Sequence, residues 1–116
     1  ETLKREGLDE VRRMIREAYD RAFAEVDLLI GPCTPTGPYE LGEKTADPLA
    51  VYLLDLYTVS ANLAGIAGLS LPCGLTKSGL PIGLQLQSAA LDETRLLQAG
   101  SMFQQATDWH TKRPKL

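Results

Sequence analysis

Two short apolar runs separated by a tight turn constrain the fold of this chain most strongly. The runs are Leu69–Leu75 and Ile82–Ser88, and the segment between them begins with Thr76-Lys-Ser-Gly79. The second run alternates apolar residues with glycine or glutamine, which is the two-residue period of a half-buried strand. A glycine in the connecting turn favours antiparallel pairing. The sequence therefore predicts a β-hairpin with one face on a core.

Proline and glycine inside the two runs indicate how the hairpin is placed. Pro72 has no amide hydrogen, so its strand must lie at an edge of the sheet or contain a bulge there. Gly74 and Gly83 leave room for another backbone or a ligand, although a bulge is the simpler explanation for each glycine taken alone.

The segment before the hairpin predicts a long helix and a short strand. From Leu8 to Val26, apolar residues recur with the 3.6-residue period of an amphipathic helix, whose apolar side we expect to pack on a core. Asp27–Ile30 is a short apolar run closed by Gly31-Pro32, and its length favours a buried strand.

A long loop should follow this strand. Residues 31–48 include four prolines and three glycines, which neither helices nor strands accommodate at this density. Loops of this length are often functional or wrapped over a partner, and a solvated connector is the plain alternative.

Further helices are expected on both sides of the hairpin. Asp47 can cap, and Pro48 can begin, a helix that continues through Leu49–Val59, and its apolar character all round predicts burial on most sides. Ser60–Gly65 predicts a short helical turn ending at a glycine cap. After the hairpin, Asp92 can cap a last helix that ends near Trp109.

Composition excludes several classes of function. With 116 residues and a net charge of −3, the chain suits one domain without a broad basic surface for nucleic acid. No run approaches the roughly 20 apolar residues that span a bilayer, and the first residues are charged where a signal peptide would be apolar. Cys33 and Cys73 have no nearby partner for a metal site, so we expect reduced thiols in a cytoplasmic protein.

Familiar catalytic motifs are missing from the sequence. It contains no G-x-S-x-G, no phosphate-binding glycine loop, no H-E-x-x-H and no C-x-x-C. His110 is the single histidine, and we expect it to be satisfied or solvent-facing rather than catalytic. Cys33 has no evident cationic neighbour that would activate its thiol.

Asp55 is the candidate binding residue, because it interrupts the apolar segment Val51–Tyr57. A buried carboxylate needs a cation or several donors to offset its desolvation, which would suit recognition of a substrate ammonium. The alternatives are that Asp55 lies on a wet side of its helix or pairs with a structural arginine.

A set of short motifs, in unbroken order from about Val26 onward, resembles the C-terminal part of the amidase signature family. Within that family the resemblance is to the glutamyl-tRNA(Gln)/aspartyl-tRNA(Asn) amidotransferase branch. The motifs include Asp27-Leu-Leu-Ile-Gly-Pro-Cys-Thr-Pro-Thr36, Gly42-Glu-Lys-Thr45, Tyr52-Leu-Leu-Asp55, Ala61-Asn-Leu-Ala-Gly65, Leu71-Pro-Cys-Gly74, Gly79-Leu-Pro-Ile-Gly-Leu-Gln-Leu86 and Trp109-His110.

The resemblance implies a glutamine amidohydrolase that uses a Ser–cis-Ser–Lys triad and an acyl-enzyme. No part of this chain matches the triad region, so we assign no catalytic residue and expect the chain alone to be inactive. Asp55 occupies the family position that binds the α-ammonium of glutamine. Three departures from the family pattern are Ser60 in place of Pro, Cys33 in place of Thr, and Gln87–Ala90 in place of an Ile-Gly turn.

The fold implied is α/β, a mixed sheet flanked by helices, in which residues 1–116 form a single piece of a larger amidase domain. The strands should lie near Leu29, Leu71 and Leu84. An uncovered sheet edge would then favour self-association.

The resemblance also implies other amidotransferase subunits as partners, with ATP and Mg bound at a partner subunit rather than by this chain. The chain itself should bind no cofactor, metal, nucleic acid or membrane. Two alternatives are an assembly module that uses the 31–48 loop and the sheet edge, and a fragment of an amidase for another small amide.

Overall fold

The computed structural model describes residues 2–41 and 48–113. In chain order the elements are α1 (Thr2–Phe23), β1 (Leu29–Pro32), α2 (Pro48–Leu54), α3 (Val59–Ala64), β2 (Ala67–Leu75), β3 (Pro81–Ser88), α4 (Glu93–Ala106) and a 3-10 turn (Trp109–Thr111). Among the helices described, none is both long and apolar enough to cross a membrane.

The three strands form one antiparallel sheet in the order β1-β3-β2. The predicted hairpin is confirmed, with Leu71 opposite Leu84 and Gly68 opposite Gln87. The register shifts between Pro72 and Gly74 in β2, which is an edge strand. Both explanations offered for a proline in this strand, an edge position and a bulge, therefore hold.

The space at Gly83 is occupied by Cys33. An added Cβ at Gly83 would lie 2.9 Å from Cys33 Sγ, closer than real Cβ contacts allow. The Cys33 amide donates to the Gly83 carbonyl at 3.2 Å. The missing side chain thus lets the chain after β1 approach the central strand. The bulge between Pro72 and Gly74 lies directly opposite Gly83, so a close approach and a bulge both occur here.

The core lies between α4 and one face of the sheet. Its buried members are Ala67 and Leu71 from β2, Leu86 from β3 and Leu96 from α4, of which Leu96 is only 2% exposed. At Gly100 an added Cβ would lie 2.8 Å from Leu69 Cδ2. A glycine therefore brings α4 close to the hairpin.

Tyr19, from the C-terminal half of α1, lies at the opposite face of the sheet beside Gln85 and Gln87, and α1 packs against α3. Tyr19 and Ser60 connect these helices through hydroxyl groups 2.8 Å apart. The expected packing of α1 is correct only for this half, because Leu8, Val11 and Met14 on the same helical stripe are exposed. Within the described residues, nothing covers that part of the stripe.

Several predicted boundaries were wrong. The first helix was expected over Leu8–Val26, but α1 begins at Thr2, because the helix-forming residues before Gly7 extend it, and ends at Phe23. The first strand was expected over Asp27–Ile30, but β1 covers Leu29–Pro32, where it pairs with β3. α4 ends at Ala106, and a separate 3-10 turn contains Trp109. Asp92 makes no side-chain capping bond and instead pairs with Arg95 at 2.8 Å.

The segment Leu49–Val59 is not the single buried helix that its apolar sequence suggested. Pro48 begins α2 as predicted, whereas Asp47 lies outside the described residues. The helix ends at Leu54, and a turn over residues 55–58 precedes α3. Apolar residues here are exposed because no described element covers them, namely Leu49, Val51, Tyr52, Leu53, Leu56, Tyr57 and Val59. Gly65 ends α3 at φ 67°, which confirms the predicted glycine cap.

Candidate functional site

Asp55 begins the tight turn between α2 and α3. Its carbonyl oxygen accepts hydrogen bonds from the amides of Thr58 at 3.0 Å and Val59 at 2.9 Å, and from Thr58 Oγ1 at 3.3 Å. Three donors from two consecutive residues fix the backbone on which the carboxylate is carried. Thr58 and Val59 are β-branched and have low helix propensity, which favours an interruption at this point.

The Asp55 side chain is exposed in the turn after α2, so the buried carboxylate is not observed. The alternative of a wet side of a helix does not apply either, because Asp55 lies outside α2. Within residues 2–41 and 48–113, no hydrogen bond or ion pair to its carboxylate is observed, and in particular none from an arginine. An exposed carboxylate on a fixed turn remains available to bind a cationic group.

The turn is joined to the sheet by one side chain from the central strand. Gln85 Nε2 donates a hydrogen bond to the Tyr57 carbonyl oxygen at 2.9 Å. Alternation along β3 places Leu84 and Leu86 on the α4 face and Gln85 on the other. The polar positions of this strand therefore face the segment that carries Asp55.

Ser60, where the family pattern has Pro, connects this segment to α1. Its Oγ lies 2.8 Å from the Tyr19 hydroxyl, and the contact is partly buried. Arg16 Nη1 also donates to the Ala64 carbonyl at 2.9 Å. The residue that departs from the pattern thus contributes a contact between helices that a proline could not make.

Two cavities lie beside the turn. One of about 150 Å³ lies on the polar face of the sheet, and the other, of about 420 Å³, lies under the proline-rich loop after β1. The smaller is lined by Tyr19, Leu29, Ile30, Gly31, Pro32, Tyr57, Gln85 and Gln87, and the larger by Pro32, Thr34, Pro35, Thr36, Gly37, Pro38, Tyr39, Leu54, Thr76, Pro81, Ile82 and Gly83. Asp55 lines neither, although its neighbour Leu54 lines the larger one.

The remaining candidate groups are the two cysteines and His110. Both cysteines are free thiols, and Cys33 Sγ lies 3.1 Å from Ser70 Oγ. His110 is half-buried, and its Nδ1 is buried without a hydrogen-bond partner among the described residues, so this nitrogen is not satisfied as expected. The described part of the chain contains no cluster of residues that could hold a metal ion.

Sequence reasoning singled out Asp55 as a candidate, but it did not single out the contact between Gln85 and Tyr57. The alternation of apolar and polar residues in β3 predicts that Gln85 lies on the polar face of the sheet, and this pattern is the only indication of its contact that the sequence offers. Its acceptor is 28 positions away and is a backbone carbonyl, which no residue-type pattern can indicate.

The family model described as Amidase matches residues 3–97. The chain is 58% identical to the A subunit of glutamyl-tRNA(Gln) amidotransferase from Rhodopirellula baltica over 104 residues, which is 90% of this chain and 21% of that protein. Its identity to the corresponding protein of Desulfatibacillum aliphaticivorans is 53% over 107 residues, covering 92% and 22% of the two chains. The chain therefore spans about a fifth of the length of these relatives.

Solved structures show the same architecture. The A subunit of the Thermotoga maritima glutamyl-tRNA(Gln) amidotransferase superposes with a TM-score of 0.71 at 32% identity, covering 75% of this chain and 19% of that one. A 6-aminohexanoate cyclic dimer hydrolase complexed with substrate gives a TM-score of 0.83 at 29% identity, covering 92% and 25%. The α/β arrangement is thus shared with larger amidases.

Proposed function

The chain belongs to the amidase family, and from this premise we propose that it is the C-terminal, substrate-side portion of the A subunit of an amidotransferase. The observation that carries the proposal is 58% identity to such a protein over 90% of the chain. Similar identity to a second protein of the same kind supports the assignment. The parent enzyme hydrolyses glutamine and supplies ammonia for tRNA-dependent transamidation, in which Glu-tRNA(Gln) becomes Gln-tRNA(Gln).

In this proposal Asp55 binds the α-ammonium group of glutamine. Its carboxylate is exposed and, within the described residues, unpaired, while its own carbonyl is fixed by Thr58 and Val59. A fixed carboxylate loses little freedom when it binds an ammonium group, and the charge-assisted bond gains strength once the remaining walls of the pocket exclude water.

The nucleophile and the group that binds the substrate carboxylate come from the rest of the parent enzyme. In the described part of this chain, no serine or cysteine side chain is hydrogen-bonded to a histidine or lysine side chain. Amide hydrolysis needs an activated and positioned nucleophile, so the 116-residue chain alone should not hydrolyse glutamine.

The partners proposed are the other amidotransferase subunits, with ATP and Mg bound at one of them. The exposed apolar residues of α2 and the following turn support an interface with protein rather than solvent, since contiguous apolar surface of this kind marks interaction sites. Net charge of −3 gives no support for direct tRNA binding by this segment.

Replacement of Asp55 by Asn in the complete subunit carrying this segment tests the proposal. We expect the KM for glutamine to rise by about 10- to 150-fold, as loss of a charged hydrogen bond predicts. Asp9→Asn is the control, because Asp9 is exposed on α1 and its one ion pair among the described residues, with Arg12, is long at 3.8 Å. An unchanged KM and rate in the Asp55 variant would remove the assigned role.

A second candidate is an amidase for another small amide, which the structural likeness to the cyclic dimer hydrolase favours. Steady-state kinetics of the complete enzyme on glutamine and on 6-aminohexanoate cyclic dimer discriminate the two. Preference for the cyclic dimer, with no effect of Asp55→Asn on its KM, would support the second candidate.

The exposed α2 surface favours a third candidate, a non-catalytic assembly module. Its test is binding of the 116-residue chain to the partner subunits by calorimetry, in the absence of glutaminase activity. If the complete subunit bound its partners but did not hydrolyse glutamine, the assembly role would stand and the catalytic one would fall.

A further inference from the structure

We infer that Gln85 is a positioning residue for Asp55: through its hydrogen bond to the Tyr57 carbonyl, it holds the turn that presents the substrate-binding carboxylate. The inference rests on the proposed function. Gln85 does not reach the substrate itself in this scheme. It acts by limiting where the Asp55 carboxylate can lie.

The donor belongs to the most constrained strand of the sheet. β3 lies between β1 and β2 and is paired with both, with Gly31 and Ser70 opposite Gln85. Its neighbours Leu84 and Leu86 pack on the α4 side, and Leu86 is buried. A side chain that starts from this backbone therefore projects from a fixed point.

The acceptor lies in the middle of the turn. Among the described residues, no backbone amide donates to the Tyr57 carbonyl, so Gln85 satisfies a group that the break between α2 and α3 leaves free. The next residue, Thr58, donates to the Asp55 carbonyl from both its amide and its hydroxyl. Two consecutive contacts thus connect the Gln85 side chain to the Asp55 backbone.

The turn needs such a connection because the preceding helix gives it little support. α2 has only seven residues, and Tyr52, Leu53 and Leu56 around its C-terminal end are exposed. Segments with few buried contacts open locally at low free energy. A binding carboxylate that moves by about 1 Å loses much of its effect, so a fixed anchor is required.

The chain provides matched variants. Gln85→Leu keeps most of the side-chain volume and removes the donor. Gln85→Glu keeps the shape but places a carboxylate beside the Tyr57 carbonyl. Gln87→Leu is the control, because Gln87 is on the same strand and face, is 7% exposed, and makes no side-chain hydrogen bond in the described part of the chain.

The first experiment measures amide hydrogen exchange in the 116-residue chain. Loss of the Gln85 bond should accelerate exchange at Thr58 and Val59 by about 5- to 10-fold, while the Gly65 amide, bonded to Ala61 at 2.9 Å, should change little. Gln87→Leu should leave the Thr58 and Val59 rates within about twofold. Equal acceleration at all three amides, or none in the Gln85 variants, would overturn the inference.

The second experiment uses glutamine kinetics of the complete subunit. Gln85→Leu and Gln85→Glu should raise KM by about 5- to 30-fold with kcat lowered less than about 3-fold, because substrate binding and not the nucleophile is disturbed. In the double variant Asp55→Asn/Gln85→Leu, the KM should match that of Asp55→Asn alone, since a positioning residue has nothing left to position.

The outcomes separate the two proposals. If Asp55→Asn has no effect, the proposed function fails. If Asp55→Asn raises KM but Gln85→Leu does not, or if the two effects multiply in the double variant, the assignment of Gln85 fails and the role of Asp55 stands.

Discussion

Arg16 donates a hydrogen bond from Nη1 to the Ala64 carbonyl oxygen at 2.9 Å, so a cation from α1 lies at the C-terminal end of α3. The last carbonyls of a helix lack intrahelical donors and carry partial negative charge. A guanidinium supplies both a hydrogen-bond donor and a positive charge at this end. Ala64 is buried, and the contact as a whole is partly buried. This pair and the Tyr19–Ser60 contact join the first helix to the segment that follows Asp55.

Arg16→Met should lower the free energy of unfolding by about 1 kcal/mol, since it removes a charged hydrogen bond at a partly buried site. Arg12→Met is the control for an exposed ion pair on α1, because Arg12 pairs with Asp9 at 3.8 Å as Arg16 pairs with Asp20 at 3.2 Å, and it should change stability by less than about 0.5 kcal/mol. Chemical denaturation of both variants checks this. Equal losses would show that the contact with Ala64 contributes nothing.

Gly100→Ala should destabilise the chain by about 1–2 kcal/mol although alanine is the better helix former. The new Cβ would lie 2.8 Å from Leu69 Cδ2 and 3.3 Å from Leu71 Cδ1, which forces the core apart. Gly7→Ala in α1 meets no atom within 4 Å and should instead stabilise by about 0.5–1 kcal/mol. Thermal unfolding of the two variants should show shifts of opposite sign.

Gly83→Ala should be destabilising through Cys33 in particular. The added Cβ would lie 2.9 Å from Cys33 Sγ, whereas Cys33→Ala removes that sulfur. The double variant should recover about 1–2 kcal/mol relative to the sum of the single changes, because the new Cβ no longer meets the sulfur and its remaining contact, with the Cβ at position 33, is at 3.3 Å. Strictly additive effects in urea denaturation would contradict the contact.

Leu91→Gly should stabilise the chain by about 1 kcal/mol. Leu91 has φ 64°, the left-handed region that costs a residue with a Cβ about 1–2 kcal/mol, and it is 92% exposed, so little packing is lost. Leu91→Ala is the matched control, since it removes the side chain but keeps the strain and should be nearly neutral. Denaturation midpoints compare the two; equal midpoints would argue against strain.

The 116-residue chain should self-associate through the free edge of β1. Ile30 in this strand is 69% exposed. It lies on the same side of the sheet as α4, which packs on β2 and β3 but leaves β1 uncovered. Ile30→Lys should shift the chain toward monomer in size exclusion with light scattering. Leu97→Lys, on the exposed side of α4, should not. A wild-type monomer at high concentration would contradict the prediction.

Local features of the structure followed from the sequence. The hairpin, the proline at a bulged edge strand, the start of α2 at Pro48 and the glycine cap at Gly65 each depend on residues close together in the chain. The family followed too, because its motifs are read in order along the chain. Asp55 was identified by such a motif, and its proposed role awaits the substitution described above.

Tertiary structure alone decided what those elements contact. The periodicity of the sequence predicted an apolar stripe on α1. Whether Leu8, Val11 and Met14 are buried depends on whether another element packs against them, and in the described structure they are exposed. The break after Leu54 is stabilised by Gln85, 28 positions from the carbonyl it binds, and the space at Gly83 is filled by Cys33, 50 positions away. Such contacts arise from the relative placement of strands and helices, which residue type and spacing do not encode locally. The sequence by itself therefore determined which carboxylate to examine, and the fold determined what holds it in place.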